Sequence, residues 1–423
     1  MTSKLLNYLF VLLISPVLGL FFGLKEHNLV LKKWVIILFI TLFGSTIVLQ
    51  SGSDGATYVD IVDNFYLRMS FDEFIQGLNS IINLSPEYYQ RGDPYVHILS
   101  YLAGGIFQSS QTLFVMVSFI YGYFYTSALL KVFYKFKIRK YTFPIIFFGV
   151  VLVFWEGLEA MVTIRTWTGA WVLFYSSMSY FETNKKKYLF LIALTPLIHF
   201  AYFFISIPVW IVILYKSRSK IYLALYIVSF VYTINAGSFI TSVSQSSDLA
   251  SGRIVAYDRG EDYYSELRTR QSSQKNWYVN LGTTLRNNSI HLLLLVFLIQ
   301  GNYFKSMTSF ETNLVSVALL MVALANFGSF IPAVYSRTMR NAGIYVLAVT
   351  VMLLIDNRFY INKYARQIID FTLITVMIFM GIFLLYKFIG LTYFLSAFLF
   401  LNPSLPWFLK ENNIPVRDIF RIP

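Results

Sequence analysis

Four places in this chain put ionisable side chains beside or inside long apolar runs, where charge is costly and so points to function. The first is Gly52-Ser53-Asp54-Gly55-Ala56-Thr57-Tyr58. A carboxylate there is suited to general-base work or to holding a divalent cation, and the glycines let the backbone turn sharply towards a ligand. A Gly/Asp turn that opens a surface helix is the plainer reading of the same residues. The second is Thr163-Ile164-Arg165-Thr166, preceded by Glu156 and Glu159. Its arginine either snorkels to the membrane interface or clamps a phosphate through its planar fork. The third is His199, alone on an apolar stretch between Pro196 and Phe200, where a histidine is either a buried, hydrogen-bonded structural residue or a functional group at a hairpin apex. The fourth is Tyr335-Ser336-Arg337-Thr338-Met339-Arg340, whose two arginines at i and i+3 share one helical face and present paired positive charge.

The elements that position these residues are membrane helices. Of the 423 residues 57% are hydrophobic and 13% charged, and the mean hydropathy is +0.61. A soluble domain carries about 25% charged residues, so the surplus apolar surface must face lipid. The apolar runs are continuous rather than alternating, which points to helices and not to a barrel. The fold class expected is all-α and polytopic, with about 11–13 transmembrane helices in one domain over residues 1–423. There is no cysteine, which excludes disulfides and thiolate chemistry. The four histidines, His27, His97, His199 and His291, show no metal-ligand spacing. The net charge of +13 is explained by lysines and arginines gathered in cytoplasmic loops, so nucleic acid is not an expected partner.

Those loops set the orientation. Lys25–Lys33, Lys131–Lys140, Lys185–Lys187, Lys216–Lys220 and the turn with Arg358, Lys363 and Arg366 are basic and short, which places them in the cytoplasm. The run 5–24 reads as one retained first helix with the N-terminus outside, and helix two as 34–50. The acidic stretch 51–94 then lies outside, with 71–84 and 95–107 as helices on the outer membrane surface. Further spans are expected at about 111–130, 142–158, 162–182, 221–240, 289–304, 312–335, 342–356 and 368–388. Between 188 and 215 both flanks are basic and the stretch holds Pro196 and Pro208. This predicts a hairpin of two short helices with His199 near its outer apex. A second external loop is expected at about 241–288, with short external turns near 157–164 and 336–341. On this topology all four candidate places face outward.

The order Gly-x-Asp-x-x-x-Tyr at 52–58, Ile-Arg-Thr at 164–166, a Lys run at 185–187 and Ile-His-Phe at 198–200 resembles the EpsG family. These are bacterial polytopic proteins of exopolysaccharide and capsule loci, treated as Wzy-like polymerases and grouped with the GT-C glycosyltransferases. The family often has Arg-Gln where this chain has Arg165-Thr166, and an arginine shortly before Gly-x-Asp where this chain has Leu49-Gln50-Ser51. The resemblance implies a GT-C-like enzyme of the bacterial cytoplasmic membrane that joins oligosaccharide repeat units carried on undecaprenyl diphosphate at the outer leaflet. Asp54 would then be the catalytic carboxylate, with Tyr58 and Glu159 in support. Arg165, Arg337 and Arg340 would neutralise the departing lipid diphosphate, and His199 would orient acceptor or phosphate. No cofactor is required by this reading, although a divalent metal at Asp54 is its variant. A flippase and a chain-length regulator of the same pathway are the protein partners it implies. The rival readings are a lipid-linked oligosaccharide flippase or other transporter, and a monomer glycosyltransferase using a lipid-phosphate sugar. Transporters show internal repeats and mid-membrane charge, whereas this chain has no repeat and its charges gather towards one face.

Overall fold

The computed structural model describes residues 2–83, 93–134, 142–216, 218–232, 277–299, 307–329, 331–356, 366–400, 402–403 and 414–419. Within these residues the chain is helical, with one isolated bridge between Ser396 and Pro415. In order the helices are α1 (Thr2–Ile14), α2 (Pro16–Leu24), α3 (Leu29–Ser45), α4 (Asp54–Asn64), α5 (Phe71–Ile82), α6 (Pro94–Tyr101), α7 (Gln111–Tyr134) and α8 (Phe143–Trp155). They continue as α9 (Thr166–Thr183), α10 (Lys186–Ile198), α11 (Tyr202–Ile205), α12 (Ile207–Tyr215), α13 (Ser219–Val228), α14 (Trp277–Ile299), α15 (Ser309–Phe327), α16 (Pro332–Ile355) and α17 (Arg366–Phe394). Five stretches, Gln111–Tyr134, Phe143–Thr163, Ser309–Phe327, Pro332–Ile355 and Arg366–Phe394, are long and apolar enough to cross a membrane. The protein is a polytopic α-helical membrane protein.

Cross-helix contacts fix which ends lie together. Lys32 Nζ meets the Tyr134 hydroxyl at 2.8 Å and Ser118 bonds the Thr41 carbonyl, so α3 and α7 run antiparallel. The Tyr121 and Tyr125 hydroxyls reach the carbonyls of Glu156 and Val153, which sets α8 antiparallel to α7. Lys131 pairs with Glu182 at 2.7 Å and brings the foot of α9 to the foot of α7. Asn326 Nδ2 donates to Ser229 Oγ at 2.9 Å, so α13 runs alongside α15 in the same direction. Lys32, Lys131, Lys186, Lys216 and Arg366 therefore share one end of the bundle. Residues 155–166, 199–202 and 327–340 share the other. Both feet of the 186–216 segment stand at the basic end and its break at His199–Ala201 stands at the opposite end, as two short helices joined at an apex require.

Three expectations are corrected. The run 5–24 is not one helix. Ser15 is extended (φ −151°), as the residue before a proline tends to be, and Pro16 restarts the helix at its first position. The two arms fold against each other, with the Tyr8 hydroxyl on Glu26 at 3.2 Å, so the described N-terminal residues return to the basic end instead of lying opposite it. Residues 336–341 are not a turn. The helix begins ten residues earlier than the apolar count indicates, because Pro332 opens it and Arg337 and Arg340 ride on its first turns. Residues 277–288 are not loop but the first half of α14, whereas 158–163 form a 3₁₀ turn where a short turn is expected. Of the external loops, 84–92 and 241–276 lie outside the described residues, as do 135–141, 357–365 and 404–413. The rest of 51–94 is built from α4 and α5. Ser70 and Glu73 close α5 with a reciprocal capping box.

Candidate functional site

The centre of the site is a carboxylate that sequence reasoning passed over. Asp93 precedes Pro94, the first residue of α6, and is buried at 2% exposure. Its Oδ2 accepts from Arg165 Nη1 and lies 3.0 Å from His199 Nδ1, while Oδ1 accepts the Phe200 amide at 3.0 Å. Arg337 Nη1 stands 3.3 Å from His199 Nε2. One network therefore assigns the ring: Nδ1 carries the proton and donates to Asp93, and the Nε2 lone pair accepts from Arg337. Burial, the largest single influence on Asp93, pushes its carboxyl up. The His199 hydrogen bond, the Arg165 and His199 charges and the Phe200 amide together outweigh burial and hold it below its ordinary value.

Each of these groups is held by local structure. His97, on the second turn of α6, bonds the Tyr66 hydroxyl at 2.7 Å and the Phe74 carbonyl at 3.0 Å, which ties α6 to the preceding segments. Arg165 follows Ile164, whose φ of +54° and ψ of −61° make a γ-turn closed from the Arg165 amide to the Thr163 carbonyl at 2.6 Å. For a β-branched residue this backbone is strained. It ends the 3₁₀ turn and starts α9 with Arg165 at its N-cap. The break in α10 that frees His199 is fastened by Tyr202, whose hydroxyl donates to the Thr166 carbonyl at 2.6 Å and whose ring covers Gly169.

A second ion pair lies beside the first. Glu156 is fully buried and takes Arg340 through both oxygens, and Arg340 stacks over Trp167 at 3.7 Å. The end of α8 leaves carbonyls without helical partners. Tyr121 caps those of Glu156 and Gly157, and the Trp171 indole bonds the former at 3.2 Å. Trp155 Nε1 donates back to the Arg340 carbonyl at 2.8 Å. Glu159 pairs with Lys387 of α17, a partner nothing in the sequence spacing indicates.

Of the residues expected from sequence, Arg165, His199, Arg337 and Arg340 thus meet at one end of the bundle, and Glu159 lies beside them. Asp54 is at the same end but apart. It is exposed at the first turn of α4, and its carboxylate has no hydrogen bond or ion pair among the described residues. Ser53 caps that helix through the Ala56 amide. Gly52 has φ of +78°, which explains the first glycine of the motif. Gly55 serves packing: a Cβ there would sit 2.8 Å from Leu49 and 2.9 Å from Val162. Tyr58 is buried on the inner face of α4. No three His, Asp or Glu side chains converge with metal-ligand spacing among the described residues.

An apolar groove of about 620 Å³ runs between α2, α3, α7 and α8. It extends from Lys32 and Tyr134 at the basic end, past Phe39 and Leu129, to Gly157 and Leu158 beside Glu156.

No curated protein and no solved structure matches the chain. The model of the EpsG family, a Wzy-like polymerase family, matches residues 32–400, nearly the whole chain, and the chain belongs to that family.

Proposed function

We propose that this protein joins oligosaccharide repeat units carried on undecaprenyl diphosphate at the outer leaflet of the bacterial cytoplasmic membrane. Membership of the EpsG family supports a polysaccharide polymerase-type role in general. The observation that carries the finer reading is the meeting of Asp93, Arg165, His199, Arg337 and Arg340 at the end opposite the basic loops. Lysine and arginine loops stay in the cytoplasm, so this end faces outward. Charge gathered at one end of the bundle suits an enzyme working at one leaflet better than a carrier.

In the reaction a hydroxyl oxygen of the acceptor attacks the anomeric carbon of the donor sugar. The new C–O bond forms as the C–O bond to the diphosphate breaks, and the bonding pair leaves with the lipid diphosphate. The hydroxyl proton passes to His199 Nε2, which Asp93 orients through Nδ1. Arg337 occupies that lone pair in the resting arrangement. Drawn towards the phosphates, it leaves Nε2 open to the acceptor. Arginine forks meet the charge that grows on the leaving group in a partly dehydrated setting. Asp54, exposed on the same side, is the alternative base, reached from solvent by the acceptor chain. The apolar groove ending at Gly157 and Leu158 accommodates the polyprenyl tail.

The test is surface polysaccharide made by cells whose only copy of the chain carries His199→Gln or Arg337→Gln. Single repeat units without longer polymer, at unchanged protein level, are expected. Full-length polymer from both variants would remove this site from the reaction.

A further inference from the structure

Arg286 lies ten residues into α14, where sequence reasoning saw only a loop cation. It is 7% exposed. Its guanidinium stands 5.7 Å from the Trp155 ring and 5.8 Å from the Phe383 ring. Its Nε and Nη2 donate to the Asn287 amide oxygen at 3.3 Å, and no carboxylate pairs with it among the described residues. Arg340 is one of its electrostatic neighbours and adds repulsion. Glu156, the acid whose charge favours it, is already held by Arg340 through both oxygens. A buried guanidinium beside a second guanidinium, whose hydrogen bonds among the described residues go to a neutral amide, is costly in the resting protein. The arrangement makes sense if an anion completes it.

The balance of charge among its described neighbours fits a doubly charged anion. Among the described residues of the two linked ion-pair clusters, the cations are Arg165, Arg286, Arg337, Arg340 and Lys387 and the carboxylates are Asp93, Glu156 and Glu159. With His199 neutral, five cations against three carboxylates leave two positive charges. Arg165, Arg340 and Lys387 each have a carboxylate, so the surplus resides on Arg286 and Arg337. A diphosphate bridging sugar and lipid carries two negative charges, and a monophosphate bridge carries one.

We propose that Arg286 is a phosphate-binding residue of the donor site, receiving one phosphate of a lipid diphosphate from the α14 side while Arg337 receives the other. The proposal rests on the glycosyl-transfer reading above and adds to it a residue and a division of labour. Arg165 and Arg340 are held by acids and shape the site. Arg286 and Arg337 are the cations kept available for substrate.

The test uses the full-length purified protein in detergent, with farnesyl diphosphate and farnesyl phosphate as probes, binding by equilibrium dialysis and stability by thermal melting. The wild-type chain should bind the diphosphate at least tenfold more tightly than the monophosphate. Arg286→Gln should bring the two affinities within about twofold, and Arg286→Lys should retain part of the preference. Without ligand, Arg286→Gln should melt at or above the wild-type temperature, because it removes an uncompensated buried charge. A purely structural arginine would instead lower the melting temperature when replaced, and that result overturns the proposal, as does failure of the variant to fold. A wild-type preference that survives Arg286→Gln overturns the proposal alone. A wild-type protein that does not distinguish the two probes overturns it together with the lipid-diphosphate reading.

Discussion

Replacing Asp93 by asparagine keeps its shape and removes its charge, and the cost follows from the donors around it. Among the described residues three donors converge on the carboxylate: Arg165 Nη1 and His199 Nδ1–H on one oxygen and the Phe200 amide on the other. Both oxygens accept, so all three are satisfied. An asparagine has one accepting oxygen and one NH₂. Whichever way the amide is turned, a donor faces a donor, and the site is too buried for water to mend it. Losing one charge-assisted hydrogen bond costs about 1.5–3 kcal/mol. The Arg165 side chain is a quarter exposed, so solvent screens part of the lost attraction. We expect a destabilisation of about 2–3 kcal/mol in total. The effect on turnover should be larger in proportion, because the imidazole loses the partner that fixes its tautomer. A positioned base contributes about 10²–10⁴-fold, and most of that should be lost. The assay is polymer formation by purified protein supplied with lipid-linked repeat units, read as a ladder on a gel, with thermal melting in parallel. The pH dependence adds a second check. The folded carboxyl lies below its ordinary value, so its contribution is complete above the ordinary carboxylate range and fades as pH falls through the folded value. The stability gap between wild type and Asp93→Asn should stay constant from about pH 8 to pH 5 and narrow below that. Asp93→Asn protein that melts and polymerises like wild type would refute the reasoning.

Three further outcomes are expected. Asp54→Asn should leave polymerisation within a few-fold of wild type if His199 takes the proton, whereas loss of polymer at unchanged protein level would return that role to Asp54. Gly343→Ala should lower the melting temperature, because a Cβ there would come within 2.0 Å of the Trp155 indole, whose hydrogen bond to the Arg340 carbonyl would be displaced; overpacking of this kind costs about 1–3 kcal/mol, and an unshifted melt would contradict the packing. Cysteine introduced at Asp72 should react with an impermeant thiol reagent in intact protoplasts, and cysteine at Lys186 should react only after lysis, with no native cysteine to confuse the signal; the reverse pattern would invert the orientation.

How much of this was legible in the sequence depends on which signal each feature left. Spans such as α7 and α17 are long, uniformly apolar and bounded by basic turns, so length and composition find them. The 186–215 segment is shorter, but its basic feet and two prolines leave only an apex for His199. The N-terminal run has the composition of one span, and Pro16 is the single trace of the bend that its sequence carries. The polar residues around Arg337 and Arg340 lower the apolar count and suggest a turn, yet Pro332 at the first helical position marks where α16 begins. Among site residues, arginines and a histidine in apolar surroundings announce themselves. Asp93 does not: it sits in an acidic stretch with several other carboxylates, and only the fold shows that it is the buried one. The Asp-Pro step that starts α6 was the available hint. Arg286 is hidden for a related reason, one cation among many in a segment whose polarity suggests a loop. The pairing of Glu159 with Lys387 spans more than half the chain, and no local pattern encodes it.

The central claim is that the cluster around His199 transfers sugar from a lipid diphosphate. The most direct measurement is polymerisation in liposomes by the purified wild-type chain and its His199→Gln variant, given lipid-diphosphate-linked repeat units and no other protein. The account predicts a ladder of products and one lipid diphosphate released per linkage from the wild type, with both reduced at least a hundredfold in the variant at equal protein. A ladder of equal yield from His199→Gln, or wild-type protein that consumes no donor, would contradict it.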